Sequence, residues 1–150
     1  MMMGHQERIE VATRGRGLHD VTALVEAVVR KAGVHTGLCH LFLQHTSASL
    51  LVQENADEDV RSDLLDWLAR IAPDGDPRYR HTAEGPDDMS AHLRAAITAT
   101  SLTIPIVDGR LALGTWQAIY VCEHRTTPHR RMIVATVTEI ARSDSDRASG

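Results

Sequence analysis

His45 is the residue whose place in the sequence most clearly indicates a chemical role. It ends an apolar run of strand length, residues 38–45, and the two-residue period of a strand puts it on one face with Leu41 and Leu43. A histidine ring buried there is costly unless it is hydrogen-bonded. Either His45 is a core histidine held by a backbone carbonyl or by Thr46, or it belongs to an anion- or metal-binding pocket where Thr46 and Ser47 supply hydroxyl groups.

His81 and His92 could complete a metal site with His45. His92 lies four residues after Asp88, a spacing that puts both side chains on one face of a helix, so the carboxylate can orient the ring. His81 lies in the preceding loop. Three histidines suit a zinc-like ion that keeps one open coordination position. The alternative is that Asp88 and His92 form an ordinary surface pair.

Acidic and amide side chains cluster after the His45 segment. Clustered carboxylates serve as acid and base groups, or they simply favour the N-terminus of a helix. Asp57 and Glu58 fit the second interpretation. Glu54 and Asn55 lie closest to the His45 end, which makes them candidates for the site.

A strand and a basic segment in the last third of the chain supply further polar candidates. In a predicted strand at residues 115–123, alternation puts Gln117 and Glu123 on the same face. Arg130 and Arg131 follow, and an arginine fork suits bidentate capture of phosphate or carboxylate. The alternative for this basic segment is a solvated loop that leads into a strand.

Size, composition and charge restrict the class of protein. The 150 residues suit one domain, and 43% hydrophobic with 24% charged residues is an ordinary globular composition. The formal net charge of −4 and the lack of a dense Lys/Arg block argue against nucleic-acid or membrane-surface binding. The sequence lacks a spanning apolar run and a signal-peptide pattern, so we expect a cytoplasmic protein. Cys39 and Cys122 lie in apolar runs and are expected to be buried thiols, not a disulfide.

Hydrophobic periodicity predicts the elements that position these residues. Alternating or continuous apolar runs predict strands at residues 7–13, 38–45, 48–52, 102–107, 111–113, 115–123 and 132–140. Helical periodicity predicts helices at residues 21–32, about 56–71 and about 87–99. Asp20 is expected to cap the first helix and Gly33 to end it, while Asn55 and Glu58 form a capping box for the second.

These elements predict an α+β fold in one compact domain, with a mostly antiparallel sheet and about three helices. The ordered core is expected at about residues 6–141. The strand at residues 38–45 looks covered on both faces, and the second helix has an apolar stripe that ends at Ile71. The third helix is expected to bury Met89, Leu93 and Ile97.

Six motifs, taken in order, resemble a known family. They are Gln44-His45-Thr46-Ser47-Ala48-Ser49, Glu54-Asn55-Ala56-Asp57, Tyr79-Arg80-His81, Asp87-Asp88 with His92-Leu93, Gly114-Thr115-Trp116-Gln117, and Glu123 with Arg130-Arg131. Their order and spacing resemble the YjbQ-like family, described as secondary thiamine-phosphate synthase enzymes. The resemblance covers about residues 11–140. One departure follows Glu123, where some relatives carry an Asp-Gly-Pro-Arg turn and this chain has Arg125-Thr126-Thr127-Pro128-His129.

The resemblance implies a homotrimer with a polar pocket and a weak ability to join pyrimidine diphosphate and thiazole phosphate into thiamine phosphate. Together with the residue patterns described above, it leads to the following site roles. The catalytic candidates are His45, Glu54 and Glu123. The substrate-binding candidates are Thr46, Ser47, Asn55, Trp116, Gln117 and Arg130. The metal candidates are His45, His81 and His92, for a divalent ion such as zinc or magnesium.

Three functional hypotheses follow. In the first, a transferase neutralises a diphosphate leaving group with a divalent metal or Arg130, while a histidine or Glu123 handles protons. In the second, the three histidines hold a metal that activates water for hydrolysis of a phosphorylated small molecule. In the third, the protein is a non-catalytic trimer that binds a ligand in the same pocket.

Overall fold

The computed structural model of the protein describes residues 3–141 and has the expected α+β architecture. The described chain contains these elements: β1 Gly4–Ala12, β2 Gly17–Asp20, α1 Thr22–Ala32, β3 Gly37–Leu43, β4 Ala48–Glu54, α2 Glu58–Ile71, α3 Asp88–Ile97, β5 Ser101–Val107, β6 Arg110–Leu111, β7 Gln117–Glu123 and β8 Arg130–Glu139. The three helices and the antiparallel strand pairing confirm the predicted fold class. The ends of the expected domain, residues 1–2 and 142–150, lie outside the described residues.

The strands form two antiparallel sheets around one hydrophobic core. The larger sheet has the order β1-β8-β3-β5-β6, and the smaller has the order β2-β7-β4. Strand β2 was not predicted, and it pairs with the end of β7. The core joins both sheets to α1 through buried side chains such as Val25, Val28, Leu41, Leu50, Val121 and Ile133. Cys39 and Cys122 are buried free thiols, as expected.

Helix α1 ends where the sequence predicts but begins slightly later. Val21 occupies the cap position instead of Asp20. The Asp20 carboxylate nevertheless accepts a hydrogen bond of 2.9 Å from the backbone N–H of Thr22. Gly33 ends the helix with a φ of 65°, a left-handed conformation that glycine adopts without strain.

Strand β3 is covered on one face only, so the expectation of two covered faces is wrong. Cys39, Leu41 and Leu43 are buried, whereas Leu38 and Phe42 are exposed. The alternation that places the first set in the core necessarily places the second set on the opposite face of the larger sheet. That face is open within the described chain.

Helix α2 lies on the surface and is capped differently from the prediction. Its N-cap is Asp57, whose carboxylate accepts the N–H of Asp59, so the predicted cap at Asn55 is wrong. Of its apolar stripe, Leu68 is buried, while Trp67 and Ile71 are exposed. The helix therefore contributes little to the hydrophobic core.

Helix α3 buries polar side chains instead of the predicted apolar stripe. Asp88, Ser90 and Arg94 are buried, whereas Ile97 is exposed. The Arg94 guanidinium donates two hydrogen bonds to the carbonyl of Ala72, at 3.1 and 2.9 Å. Hydrogen bonds satisfy this face where apolar packing was expected. The prediction failed because the partner of Arg94, the carbonyl of Ala72, lies 22 residues earlier in the chain, and helical periodicity does not reveal such a contact.

His124 is almost completely buried just beyond β7. Its Nε2 lies 2.9 Å from the hydroxyl of Ser49, and its Nδ1 lies 3.7 Å from the Cys122 thiol. Its carbonyl accepts two hydrogen bonds from Arg16, which also pairs with Asp74. Burial lowers the pKa of His124 from 6.5 to about 4, so the ring is neutral at pH 7.

The neutral state of His124 predicts a specific acid sensitivity. The pKa of His124 is lower in the folded state than in the unfolded state. Below pH 6.5 the unfolded chain therefore binds a proton at His124, whereas the folded chain binds one only near pH 4. We expect this group to remove on the order of 3 kcal/mol from the free energy of unfolding between pH 7 and 4. Urea unfolding across this range should give a flatter profile for His124→Gln than for the wild type. The exposed control His40→Gln should follow the wild type, and equal slopes in all three proteins would contradict the prediction.

Candidate functional site

The candidate site lies beside α3, where β3 ends and the chain turns towards β4. A concavity of about 480 Å³ opens here, and its lining includes Phe42, His45, Thr46, His92 and Thr100. Residues 44–47 connect the larger sheet to the smaller sheet. Backbone polar groups and side chains of this connection therefore reach the surface beside the core, in a space large enough for a small molecule.

His81, Asp88 and His92 form one cluster at this site. Oδ2 of Asp88 lies 2.6 Å from Nε2 of His81 and 3.0 Å from Nε2 of His92. The possible ligand atoms of the three residues all lie within 4.8 Å of one another. Two imidazole nitrogens and one carboxylate oxygen therefore converge on a single position.

Arg125 fixes the other oxygen of Asp88. Its Nη1 donates to Oδ1 of Asp88 at 2.6 Å, and its Nε donates to Oδ2 of Asp87 at 3.1 Å. Oδ2 of Asp87 also accepts the backbone N–H of Thr126 at 2.9 Å. Burial raises the pKa of Asp88, but the hydrogen bond from His81 and the positive charge of Arg125 lower it, and the pKa lies below its ordinary value. Asp88 is therefore an ionised carboxylate whose Oδ2 faces the two histidines.

The hydrogen bond made by Nδ1 of His92 determines whether Nε2 carries a proton or a lone pair. Nδ1 lies 3.1 Å from the carbonyl oxygen of Thr46, which can only accept a hydrogen bond, so Nδ1 carries the proton. In the neutral ring, Nε2 then presents a lone pair towards the Asp88 carboxylate, 3.0 Å away. Two lone pairs that face each other repel, so this geometry favours a cation between them.

His45 does not join this cluster, so the structure does not form the predicted set of His45, His81 and His92. Nε2 of His45 accepts the backbone N–H of Met132 at 2.8 Å, and Asp88 takes the third position beside His81 and His92. A ring nitrogen that accepts a backbone hydrogen bond is not free to bind a metal. His45 instead lines the concavity next to Thr46.

Glu123, predicted as catalytic, is fully buried in an ion pair with Arg131. Nε and Nη2 of Arg131 donate to the two carboxylate oxygens at 2.9 and 2.5 Å, and the Thr13 hydroxyl donates at 2.6 Å. Burial raises the pKa of Glu123, but these hydrogen bonds outweigh it and leave the pKa below its ordinary value. Neither Glu123 nor Arg131 lines the concavity, but Arg131 also donates to the hydroxyl of Ser47 at 3.0 Å.

Arg131, and not the predicted Arg130, contacts the His45 segment through His45 and Ser47. The Arg130 side chain is 83% exposed and pairs with Glu10 on the surface. Arg131 shares the inward face of β8 with buried residues such as Ile133 and Ala135. The two-residue period applied to His45 could have identified Arg131, because a charged residue in register with apolar core residues needs a buried partner.

Four other predicted site residues lie together at the far end of the smaller sheet. Ala48 pairs with Glu123 at one end of β4 and β7, whereas Glu54 pairs with Gln117 at the other end. Six residues of strand separate these ends by about 20 Å. The far-end residues are Glu54, Asn55, Trp116 and Gln117. The structure therefore does not bring them to the His45 concavity within one chain, and their roles stay predictions.

Local hydrogen bonds hold the far-end residues in place. The side chain of Gln117 accepts the N–H of Gly114 at 2.7 Å, and the Asn55 amide donates to the carbonyl of Thr115 at 3.0 Å. The carboxylate of Glu54 accepts the N–H of Asp57 at 3.3 Å. Trp116 is exposed beside them. These contacts order the turns at this end of the sheet.

Comparison with known proteins identifies related sequences in several organisms. A family model described as "UPF0047 protein YjbQ-like" matches residues 7–139. A UPF0047 protein of Synechocystis is 52% identical over 134 residues, covering 89% of this chain and 91% of the relative. The UPF0047 protein YjbQ of Escherichia coli O157:H7 is 40% identical over 136 residues, covering 90% of this chain and 98% of the relative.

Solved structures share the fold. A YbjQ-like protein of unknown function from Sulfolobus solfataricus superposes with a TM-score of 0.83 at 26% identity, covering 93% of this chain and 100% of that protein. A conserved hypothetical protein from Thermus thermophilus gives a TM-score of 0.76 at 40% identity, covering 85% of this chain and 97% of that protein. None of the helices at residues 22–32, 58–71 and 88–97 is long and apolar enough to cross a membrane.

Arg130 and Arg131 are neighbours in sequence, but we expect the loss of their acidic partners to lower the free energy of unfolding by very different amounts. Glu123→Gln leaves the buried Arg131 without its carboxylate, which should lower the free energy of unfolding by about 3–5 kcal/mol. Glu10→Gln breaks the exposed pair with Arg130 and should cost about 0–1 kcal/mol. Urea unfolding at pH 7 measures both. Similar small losses in the two variants would contradict the buried ion pair.

Proposed function

The chain belongs to the UPF0047, YjbQ-like family, and on that premise we propose that it is a metal-dependent enzyme that acts on a phosphorylated small molecule. The convergence of His81, Asp88 and His92 carries this proposal. The cluster lies beside a concavity of about 480 Å³, into which His92 also faces.

The donor set fits a divalent metal. Imidazole nitrogen and carboxylate oxygen are zinc ligands, and three protein ligands leave a coordination position for water or substrate. Metal-binding histidines ordinarily donate their second N–H to a carbonyl or carboxylate, as His92 does to Thr46. Arg125 supports Asp88 in the same way, through the carboxylate oxygen that points away from the histidines. Two imidazoles favour zinc or a similar transition ion over magnesium.

The specific reaction we propose is the one that the family resemblance implies. A carbon–nitrogen bond forms between the ring nitrogen of thiazole phosphate and the methylene carbon of the pyrimidine diphosphate. The carbon–oxygen bond to diphosphate breaks, and diphosphate leaves with the electron pair. A bound divalent ion would neutralise charge on the phosphate oxygens.

The chain's own residues supply binding and orientation for this reaction. His45 and Thr46 line the concavity, and Arg131 lies behind them with its charge balanced by Glu123. Arg131 takes the place that Arg130 had in the predicted site, because Arg130 points to the surface. Preformed donors around departing phosphate oxygens stabilise the developing charge.

We further propose that the protein assembles as the homotrimer that the resemblance implies. The exposed apolar side chains Leu38 and Phe42 on the open face of β3 support assembly, since burying them against another chain is favourable. Light scattering should then give three times the mass of one chain, and a monomeric mass would contradict the proposal.

A metal-assisted hydrolase is the second candidate. Three protein ligands favour it, because a metal held by His81, Asp88 and His92 would keep a position for a water molecule. The two enzymes differ in their products. The transferase releases diphosphate together with a coupled product, whereas the hydrolase releases inorganic phosphate.

Metal binding tests the cluster directly. We expect wild-type protein to bind about one zinc ion per chain, and Asp88→Asn or His92→Ala to weaken binding by roughly tenfold or more. His45→Ala should retain the metal, because His45 lies outside the cluster, and the exposed control His40→Ala should also retain it. Isothermal titration with zinc after chelator treatment measures the affinities. Equal affinity in the wild type and both cluster variants would contradict the site.

Activity is tested with pyrimidine diphosphate and thiazole phosphate in the presence of zinc or magnesium. The transferase proposal expects thiamine phosphate and diphosphate in equal amounts, both lost in Asp88→Asn. Release of inorganic phosphate alone would support the hydrolase. Absence of any product from protein with bound metal would reject both enzymes and leave ligand binding as the function of the pocket.

A further inference from the structure

The hydrogen bonds around His45 fix which nitrogen carries its proton. The backbone N–H of Met132 donates to Nε2 of His45 at 2.8 Å. A nitrogen that accepts a hydrogen bond from an N–H carries no proton of its own, so in the neutral ring the proton lies on Nδ1. His45 is thus an Nδ1–H tautomer.

Protonation of the second nitrogen is disfavoured. A proton on Nε2 would point directly at the N–H of Met132. Burial and the positive charge of Arg131 also lower the pKa of His45, although Glu123 opposes them, and His129 adds a smaller effect in the same direction as Arg131. His45 therefore serves as a hydrogen-bond donor through Nδ1, since neither nitrogen has a lone pair free for a metal or a substrate proton.

The atom that faces Nδ1 of His45 is another donor. Nη1 of Arg131 lies 3.4 Å away, and a guanidinium nitrogen has hydrogens but no acceptor lone pair. The other two nitrogens of Arg131 are paired, since Nε and Nη2 bind Glu123 and Nη2 also binds Ser47. The arginine is 96% buried, with a relative exposure of 4%. Nη1 of Arg131 and the N–H of His45 Nδ1 thus lie next to each other, and the described residues supply no acceptor between them.

We propose that this pair of donors is an oxyanion-binding site, in which Nδ1–H of His45 and Nη1–H of Arg131 bind one oxygen of an anionic ligand. His45 lines the concavity, so a ligand held there can place an oxygen beside it. Glu123 already balances the charge of Arg131. The site therefore attracts an anionic ligand through directed N–H dipoles and not through a net charge. Such dipoles suit a single oxygen of a phosphate or carboxylate group.

This site is separate from the metal cluster and does not require a metal. Thr46 connects the two, because its carbonyl accepts the N–H of His92 while the adjacent His45 supplies the oxyanion donor. A phosphorylated ligand in the concavity would be bound at two places, by the cluster on the α3 side and by His45 and Arg131 on the strand side. The inference goes beyond the proposed function, since it stands if the cluster binds no metal.

Histidine-ring NMR on chelator-treated, metal-free protein tests the proposal with inorganic phosphate as the probe. Long-range ¹H–¹⁵N spectra at pH 7 should give the Nδ1–H pattern for His45, and phosphate should shift its Nδ1 signal in a saturable way. A pattern with the proton on Nε2, or on both nitrogens, would overturn the proposal. Acetate in a parallel titration separates the two oxyanion classes: a response to either supports the site, and no response to both overturns it.

Two variants give the matched comparison. His45→Phe keeps the ring volume but removes the donor, and should weaken phosphate binding roughly tenfold or more in isothermal titration. His40→Phe, on the exposed face of β3, should bind phosphate like the wild type. Unchanged phosphate affinity in His45→Phe would overturn the proposal. If that variant fails to fold, the wild-type tautomer and its phosphate-dependent shift decide the question.

Discussion

The buried ion pair between Glu123 and Arg131 is the interaction on which the site depends. Glu123 ends β7 in the smaller sheet, and Arg131 lies near the start of β8 in the larger sheet, so the pair joins the two sheets across the core. Removing both charges from water is costly, and the cost is offset only by good geometry and complete hydrogen bonding. Thr13 donates a hydrogen bond to the carboxylate and Ser47 accepts one from the guanidinium, which leaves Nη1 of Arg131 as the donor without an acceptor among the described residues. By fixing the guanidinium of Arg131, the ion pair positions the Nη1 donor next to Nδ1 of His45.

A second arginine organises the cluster of His81, Asp88 and His92 by the same principle. Arg125 binds one oxygen of Asp88 and thereby directs the other towards His81 and His92. His124, directly before Arg125 in the chain, is buried and hydrogen-bonded, which anchors the end of the strand that carries this arginine. In both halves of the site, a buried charge is balanced on one side so that a defined atom is presented on the other. Rigid presentation of this kind lowers the cost of binding an ion or an anion.

Patterns that are local in sequence predicted their structures well. The two-residue period placed Leu41 and Leu43 in the core, and Gly33 ends α1 as expected. The predicted strand ran to His45, but β3 ends at Leu43, and His45 lies in the connection that follows it. Features that depend on distant partners did not follow from the sequence. Burial of Arg94 depends on the carbonyl of Ala72, and the position of Gln117 far from His45 depends on the register of β4 with β7. Strand register and loop contacts are tertiary properties, and neither leaves a periodic signal.

The arrangement of protons in the concavity distinguishes between the two proposed chemistries. Hydrolysis requires a base to accept a proton from water, whereas attack by a thiazole nitrogen uses an existing lone pair and requires only that charge on the leaving diphosphate be stabilised. Glu123 is enclosed by its partners, and His45 has no free lone pair. His45 and Arg131 instead provide hydrogen-bond donors, through Nδ1 and Nη1. In the proposed reaction these donors would stabilise a departing anion, which is why we propose transfer ahead of hydrolysis.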